Sequence, residues 1–163
     1  MRDRPEMTES CSGCGLNVPG GASGCQSIFE ELLARDFSDP VYFRVHRMLV
    51  DIYALQHPDR YCRSAKSFAA HFTGLCWFIE HGGGRAVGNE SLRRWLNGPS
   101  PVKKPEIPSF RGTLTIQDVR EARDPMAYAE AVERWGRSTW EAYSPLHALA
   151  RDWIQQALAG RRR

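Results

Sequence analysis

The fifteen residues from Cys11 to Cys25 constrain this chain more than any others, because they cannot order themselves. They hold glycines at 13, 15, 20, 21 and 24 and a proline at 19, with only Leu16, Val18 and Ala22 as apolar side chains besides the cysteines. Fixing each backbone residue costs roughly 1–2 kcal/mol of entropy, and this stretch has little apolar surface to offset it. Something else must tie it down. The three cysteines at 11, 14 and 25 are the candidates. Cys11-Ser-Gly-Cys14-Gly15 reads as the first half of a zinc knuckle. Two thiolates at that spacing grip one ion through a tight turn, and the glycine after the second permits the turn and frees N–H groups toward sulfur. Cys25 is a third ligand, placed where the first helix should begin; the positive end of a helix favours a thiolate. Metal binding would then supply the missing ordering energy.

A redox C-x2-C would sit in a β-α-β setting, and no such pattern surrounds this one. No second C-x2-C follows, so the fourth ligand must be a histidine, an acid or water. His57 is the preferred fourth ligand and His46 the alternative. Eleven positions apart on one helix, they differ by only about 20° in direction but by about 16 Å along the axis. One ion cannot take both. His57 stands at the helix end, where an irregular loop reaches it easily. Of the other two cysteines, Cys76 falls on an apolar helix face as a core residue, and Cys62 lies in a loop with no assigned role.

The rest of the chain carries helical periodicity. Apolar residues at Ile28, Phe29, Leu32 and Leu33 mark a first helix from Gln26, with Asp36–Ser38 as a connection. Asp39 caps a second, with Pro40 in its first turn, running through Val41, Val45, Leu49, Ile52 and Leu55 until His57-Pro58 ends it. Ser64 caps a third through Phe68, Phe72, Leu75, Cys76 and Ile79, stopped by Gly82-Gly83-Gly84. A short fourth starts at Asn89 and includes Leu92, Trp95 and Leu96. Residues 98–112, with four prolines, form an extended surface segment. Thr115 caps a small helix, Asp124-Pro125 opens a long one, and Ser144-Pro145 kinks or restarts it before Leu146–Leu158. No β pattern is strong. The expected fold is an all-α helical bundle with an N-terminal cysteine-rich zinc-binding loop.

With 163 residues, 42% hydrophobic and 25% charged, the chain fits one globular domain, residues 11–160. Residues 1–10 read as a disordered lead and 161–163 as a basic tail. The formal charge of +3 is mild and comes partly from Arg161, Arg162 and Arg163, so nucleic acid is not an expected partner. No signal peptide or membrane span is evident. The expectation is a cytoplasmic protein with no membrane association. An odd five cysteines, three of them clustered, read as metal-binding in a reducing compartment.

No complete catalytic constellation emerges. Arg47 and Asp51, at i and i+4, form an ion pair if exposed, or join His71 in a polar network or small pocket if buried. His147 could reach the same pocket from the last helix. Two functional readings follow. The first is a zinc-stabilised helical binding or interaction module with an unknown protein or small-molecule partner. The second is a metal-dependent enzyme using His46, His71 and His147 in a bundle pocket.

The joint pattern is more specific than its pieces. It runs Cys11-Ser-Gly-Cys14-Gly15, Gly24-Cys25, Asp39-Pro40-Val41-Tyr42-Phe43, then His46-Arg47-x3-Asp51-x-Tyr53-x2-Gln56-His57-Pro58. Ser67 to His71 and Leu114-Thr115-Ile116-Gln117-Asp118-Val119 continue it. Over most of its length the chain resembles an uncharacterised bacterial family of small proteins of unknown function. That resemblance implies a CPGCG-like start, a third cysteine followed by an aromatic residue, and often a histidine between the pair and the third cysteine. This chain departs twice: Gln26 stands in the aromatic position, and no histidine lies between Cys14 and Cys25. The resemblance brings no activity with it.

Overall fold

A computed structural model describes residues 7–83, 86–99 and 101–160. Two short antiparallel strands, β1 (Thr8–Ser10) and β2 (Asn17–Pro19), lead into α1 (Ala22–Ser38), with Glu9 opposite Val18 in register. The helices α2 (Pro40–Phe43), α3 (His46–Gln56), α4 (Pro58–Tyr61), α5 (Ala65–His81) and α6 (Ala86–Asn97) follow. After an irregular crossing come α7 (Ile116–Arg120), α8 (Pro125–Ala142), a 3-10 turn at Ser144–Leu146, and α9 (His147–Ala159). The fold is an all-α bundle, as the periodicity requires.

The expected caps form. Asp39 accepts from the Val41 amide at 2.9 Å, Ser64 from Ser67 at 3.0 Å and Asp124 from Ala127 at 2.9 Å. Thr115 and Asp118 make a reciprocal capping box. Gly82, at φ +72°, ends α5 in the left-handed region, where side chains are disfavoured. Gly84, the tail at 161–163 and the first six residues of the lead lie outside the described residues.

Several boundaries differ from expectation, each for a physical reason. Thr8–Ser10 is not disordered lead but one strand of a hairpin, because pairing with Asn17–Pro19 gives its backbone partners. The first helix starts at Ala22 rather than Gln26 because the chain turns at Gly21, φ +55°, just before it. Gly24 then packs so tightly on β2 that a Cβ there would lie 2.0 Å from the Pro19 carbonyl oxygen. Asp36 to Ser38 continue α1 because Asp36, fully buried, accepts hydrogen bonds from Tyr128 at 2.6 Å and His46 at 2.9 Å. The second helix breaks at Arg44–Val45, which separates α2 from α3. Pro58 starts the one-turn helix α4. The fourth helix begins at Ala86, ahead of Asn89.

Helix α3 is the centre of the bundle. It packs against α1, α5 and α8, and Met48, Leu49, Ile52, Ala54 and Leu55 are buried. Gly136 on α8 lets that helix close in: a Cβ there would meet Met48 Cε at 2.3 Å. Beyond α5, α9 lies against both α5 and α6. Among the described residues no helix is long and apolar enough to cross a membrane.

The proline-rich crossing is more than a surface segment. Gln56, buried at the end of α3, donates through Nε2 to the carbonyls of Arg111 (3.0 Å) and Leu114 (2.9 Å), and its Oε1 accepts from Trp135 Nε1 at 3.0 Å. One amide therefore fastens the crossing to α3 and α8. A buried polar group left without its partner costs about 1–3 kcal/mol. Gln56→Leu strands the Trp135 N–H and two carbonyls together, so it should lower stability by about 2–4 kcal/mol. Urea unfolding should show this as a lower midpoint at unchanged slope; an unaltered midpoint would show that the clasp carries no stability.

Candidate metal centre

The turn between β1 and β2 carries the first two cysteines. Cys11 N–H bonds to the Leu16 carbonyl and Gly15 N–H to the Cys11 carbonyl, both at 2.8 Å, which folds Cys11 to Leu16 into a tight loop. Gly15 sits at φ +79° with open space around it, so its role is conformational. Cys25 is in the first turn of α1, and His57 is the C-terminal capping residue of α3. Three separate pieces of chain thus converge.

They converge closely. One ligand atom from each of Cys11, Cys14, Cys25 and His57 lies within 4.8 Å of every other, and this is the only such cluster of three or more His, Cys, Asp or Glu among the described residues. Cys14 Sγ is 3.7 Å from Cys25 Sγ. His57 Nε2 is 3.5 Å from both Cys11 Sγ and Cys25 Sγ. A disulfide would need about 2.05 Å, so the sulfurs are near neighbours without a bond, and all five cysteines are free. A tetrahedral ion with bonds of about 2.3 Å to sulfur and 2.0 Å to nitrogen has S–S edges of about 3.8 Å and S–N edges of about 3.5 Å. The three distances match those edges.

The surroundings orient the ligands. His57 Nδ1 lies 2.7 Å from the Tyr53 carbonyl, which only accepts. Nδ1 therefore carries the proton, and the Nε2 lone pair faces the sulfurs, the tautomer a metal-ligating imidazole needs. The Tyr53 ring stacks on His57 at 4.0 Å and on Phe29 at 3.9 Å. The Tyr53 hydroxyl is 3.6 Å from Cys25 Sγ and donates to Gln26 Oε1 at 3.4 Å, and Tyr61 donates to the same oxygen at 2.8 Å. Gln26, in the position where the family resemblance implies an aromatic residue, is thus the acceptor for two tyrosines. Gly13 is required sterically, since a Cβ there would lie 2.3 Å from His57 Cδ2. Arg111 reaches in from the crossing and donates through Nη1 to the Gly13 carbonyl at 2.8 Å.

The four residues named from sequence are those gathered here. The alternative ligand His46 is elsewhere. It bonds to Asp36 and lies beside Phe37 and Phe43, with ring centroids at 4.9 and 4.8 Å. Nor do His46, His71 and His147 converge. His71 Nδ1 bonds to Asp51 at 2.8 Å, and His147 stacks on Trp140 at 3.7 Å and donates to its carbonyl at 2.7 Å. Each bonds to its own local partner, and the three are not gathered in one cluster. Asp51, itself buried, bonds to both His71 and Arg47, whose Nε lies 3.1 and 3.0 Å from the two Asp51 oxygens, but the Arg47 side chain is exposed, so the network is buried only on the Asp51 side. Tyr53 does not join it, because it faces the cysteines instead.

The model of a family of unknown function, DUF5946, matches residues 9–144, which include the whole cluster. The chain belongs to that family. No curated protein and no solved structure matches it. Sequence reasoning missed the residues that support the cluster in this family member, Gln26, Gln56, Gly13 and Arg111. Gly13 and Gln56 lie within the patterned runs and Gln26 departs from the aromatic position, but no local signal gives these residues or Arg111 a supporting role.

Crowded thiols also set the response to pH. A hydrogen bond with Cys25 and then burial push the Cys14 thiol from 9.0 up to about 12. Burial leads the same rise to about 12 at Cys62 and Cys76. With folded values raised, the folded chain holds protons that the unfolded chain releases. Stability of the metal-free chain is therefore full below about pH 9 and falls as pH climbs toward 12. A metal bound at Cys14 would expel its proton, so its affinity would run the other way and weaken as pH falls. Denaturation midpoints of metal-free protein should drop on the alkaline side, while metal content after dialysis should drop on the acid side. A metal content indifferent to acidification would count against thiolate ligation.

Proposed function

We propose that this protein binds one zinc ion through Cys11, Cys14, Cys25 and His57, and that the ion is structural. The observation that carries this reading is the match of the S–S and S–N distances, 3.7 and 3.5 Å, to the edges of a tetrahedral site with three sulfur ligands and one nitrogen. Tetrahedral, sulfur-rich coordination favours zinc over harder divalent ions. Four protein ligands leave no open position for substrate or water, which is the mark of a structural rather than a catalytic centre. The recess beside Cys11 and His57 is only about 110 Å³, below the roughly 300 Å³ where small-molecule sites begin. The chain is then a zinc-stabilised helical binding module rather than a zinc enzyme. Free thiols at all five cysteines suit a reducing compartment such as the cytoplasm.

Binding energy at such a site is also ordering energy for the hairpin it closes. His57→Ala should therefore lose zinc to mild chelation and become open to proteolysis between residues 11 and 25, both together. His46→Ala should keep about one zinc per chain and lose only stability, since it removes one of the two partners of the buried Asp36 carboxylate and leaves Tyr128 as the other. Zinc retained by His57→Ala, or lost by His46→Ala, would overturn the assignment.

A further inference from the structure

A groove of about 720 Å³ runs between α5 and α6, on the side of the bundle where α3 presents Arg47. Three cations line it, Arg47, Lys66 and Arg93, against one carboxylate, Glu90, which Arg94 already pairs at 2.5 Å. Its walls are apolar at Ala70, Leu92 and Leu96. At Arg47, Gly74 and Asn89 it joins a second hollow of about 340 Å³, lined also by Arg44, Asp51 and Trp77.

Two features make this a prepared surface. Arg47 is held in place yet not used up. Its Nε is engaged by both oxygens of the buried Asp51, which His71 fixes from the other side. The terminal amino groups of the same guanidinium make no hydrogen bond among the described residues, and the side chain is 72% exposed. A fixed guanidinium with a free fork is the arrangement that grips phosphate or carboxylate through paired hydrogen bonds. Gly74 opens the path, for a Cβ there would stand 2.3 Å from Asp51 Oδ2 and 3.3 Å from Arg47 Nη2. The second feature is Trp77, which is 5% exposed and whose indole N–H has no partner among the described residues. Buried donors without acceptors are rare, and this one belongs to a residue in the wall of the second hollow. Arg93 and Arg44 also carry no ion pair among the described residues.

We propose that this groove binds a small organic anion, an oxyanion head carried on an apolar body. Arg47 and Arg93 take the head, Lys66 adds charge, and the Leu92–Leu96 wall takes the body. Phosphate and carboxylate heads share the required chemistry. The site is separate from the cysteine cluster and does not depend on the metal assignment.

The test is calorimetric titration of the intact protein at low ionic strength with phenylphosphonate, phenylacetate and inorganic phosphate. At least one of the two aromatic anions should bind at millimolar concentration or below, and the tighter of the two identifies the head. Inorganic phosphate, lacking the body, should bind at least about tenfold more weakly. Arg93→Glu, at an exposed position, and Arg47→Gln should each weaken binding by about tenfold or more. Arg134→Glu, an equal charge change on exposed α8 surface, should leave it unaltered. Unchanged thermal unfolding of Arg93→Glu would show that its loss is not one of folding. Absence of binding by both aromatic anions, full affinity in Arg93→Glu, equal loss in Arg134→Glu, or phosphate alone binding as tightly would each overturn the proposal.

Discussion

Three sulfurs and an imidazole nitrogen, all within 4.8 Å of one another, cannot all carry the lone pairs of thiolates and neutral histidine without a cation among them. That charge balance is the constraint on which the N-terminal third of the molecule depends. Without an ion the Cys14 thiol keeps its proton, held there by its hydrogen bond with Cys25 and by burial. With one, the hairpin tip, the first turn of α1 and the end of α3 become a single unit. The β1–β2 hairpin is three residues long on each side and exposed over most of its length. A two-stranded hairpin of that size has little stability of its own, so its order must come from the cluster it carries.

Helix α3 connects this centre to everything else. Its carbonyl at Tyr53 orients His57, its Gln56 clasps the proline-rich crossing, and that crossing returns Arg111 to the Gly13 carbonyl in the cysteine loop. The loop is therefore gripped twice, once by its cysteines and once from behind. Earlier on the same helix, Asp51 faces the opposite side, where it steadies Arg47 and His71. The two ends of polar chemistry on α3 share a rigid helix but no side chain. The apolar residues between them, Leu49, Ile52 and Leu55, lie in the core.

The bundle was legible because its helices obey local rules. Apolar spacing, the side-chain caps at Asp39, Ser64, Thr115 and Asp124, and the glycine stop after α5 each depend on residues within one turn of each other. The cysteines were legible because C-x2-C-G is itself a local chemical pattern, and His57 because the proline after it ends a helix where a loop can approach. What escaped depends on contacts distant in sequence. Nothing near Thr8 tells it to pair with Pro19 until the cysteine turn brings them together. The long first helix, running on through Asp36, is decided by Tyr128, 92 positions away. The separation of His46, His71 and His147 follows from three different partners on three different elements, which spacing on a helical wheel cannot reveal.

X-ray absorption at the zinc edge of the purified protein tests the central claim most directly. The account predicts about one zinc per chain with three sulfur neighbours near 2.3 Å and one nitrogen near 2.0 Å. A shell of oxygen and nitrogen alone, or no bound metal in protein whose hairpin is nonetheless ordered, would contradict it.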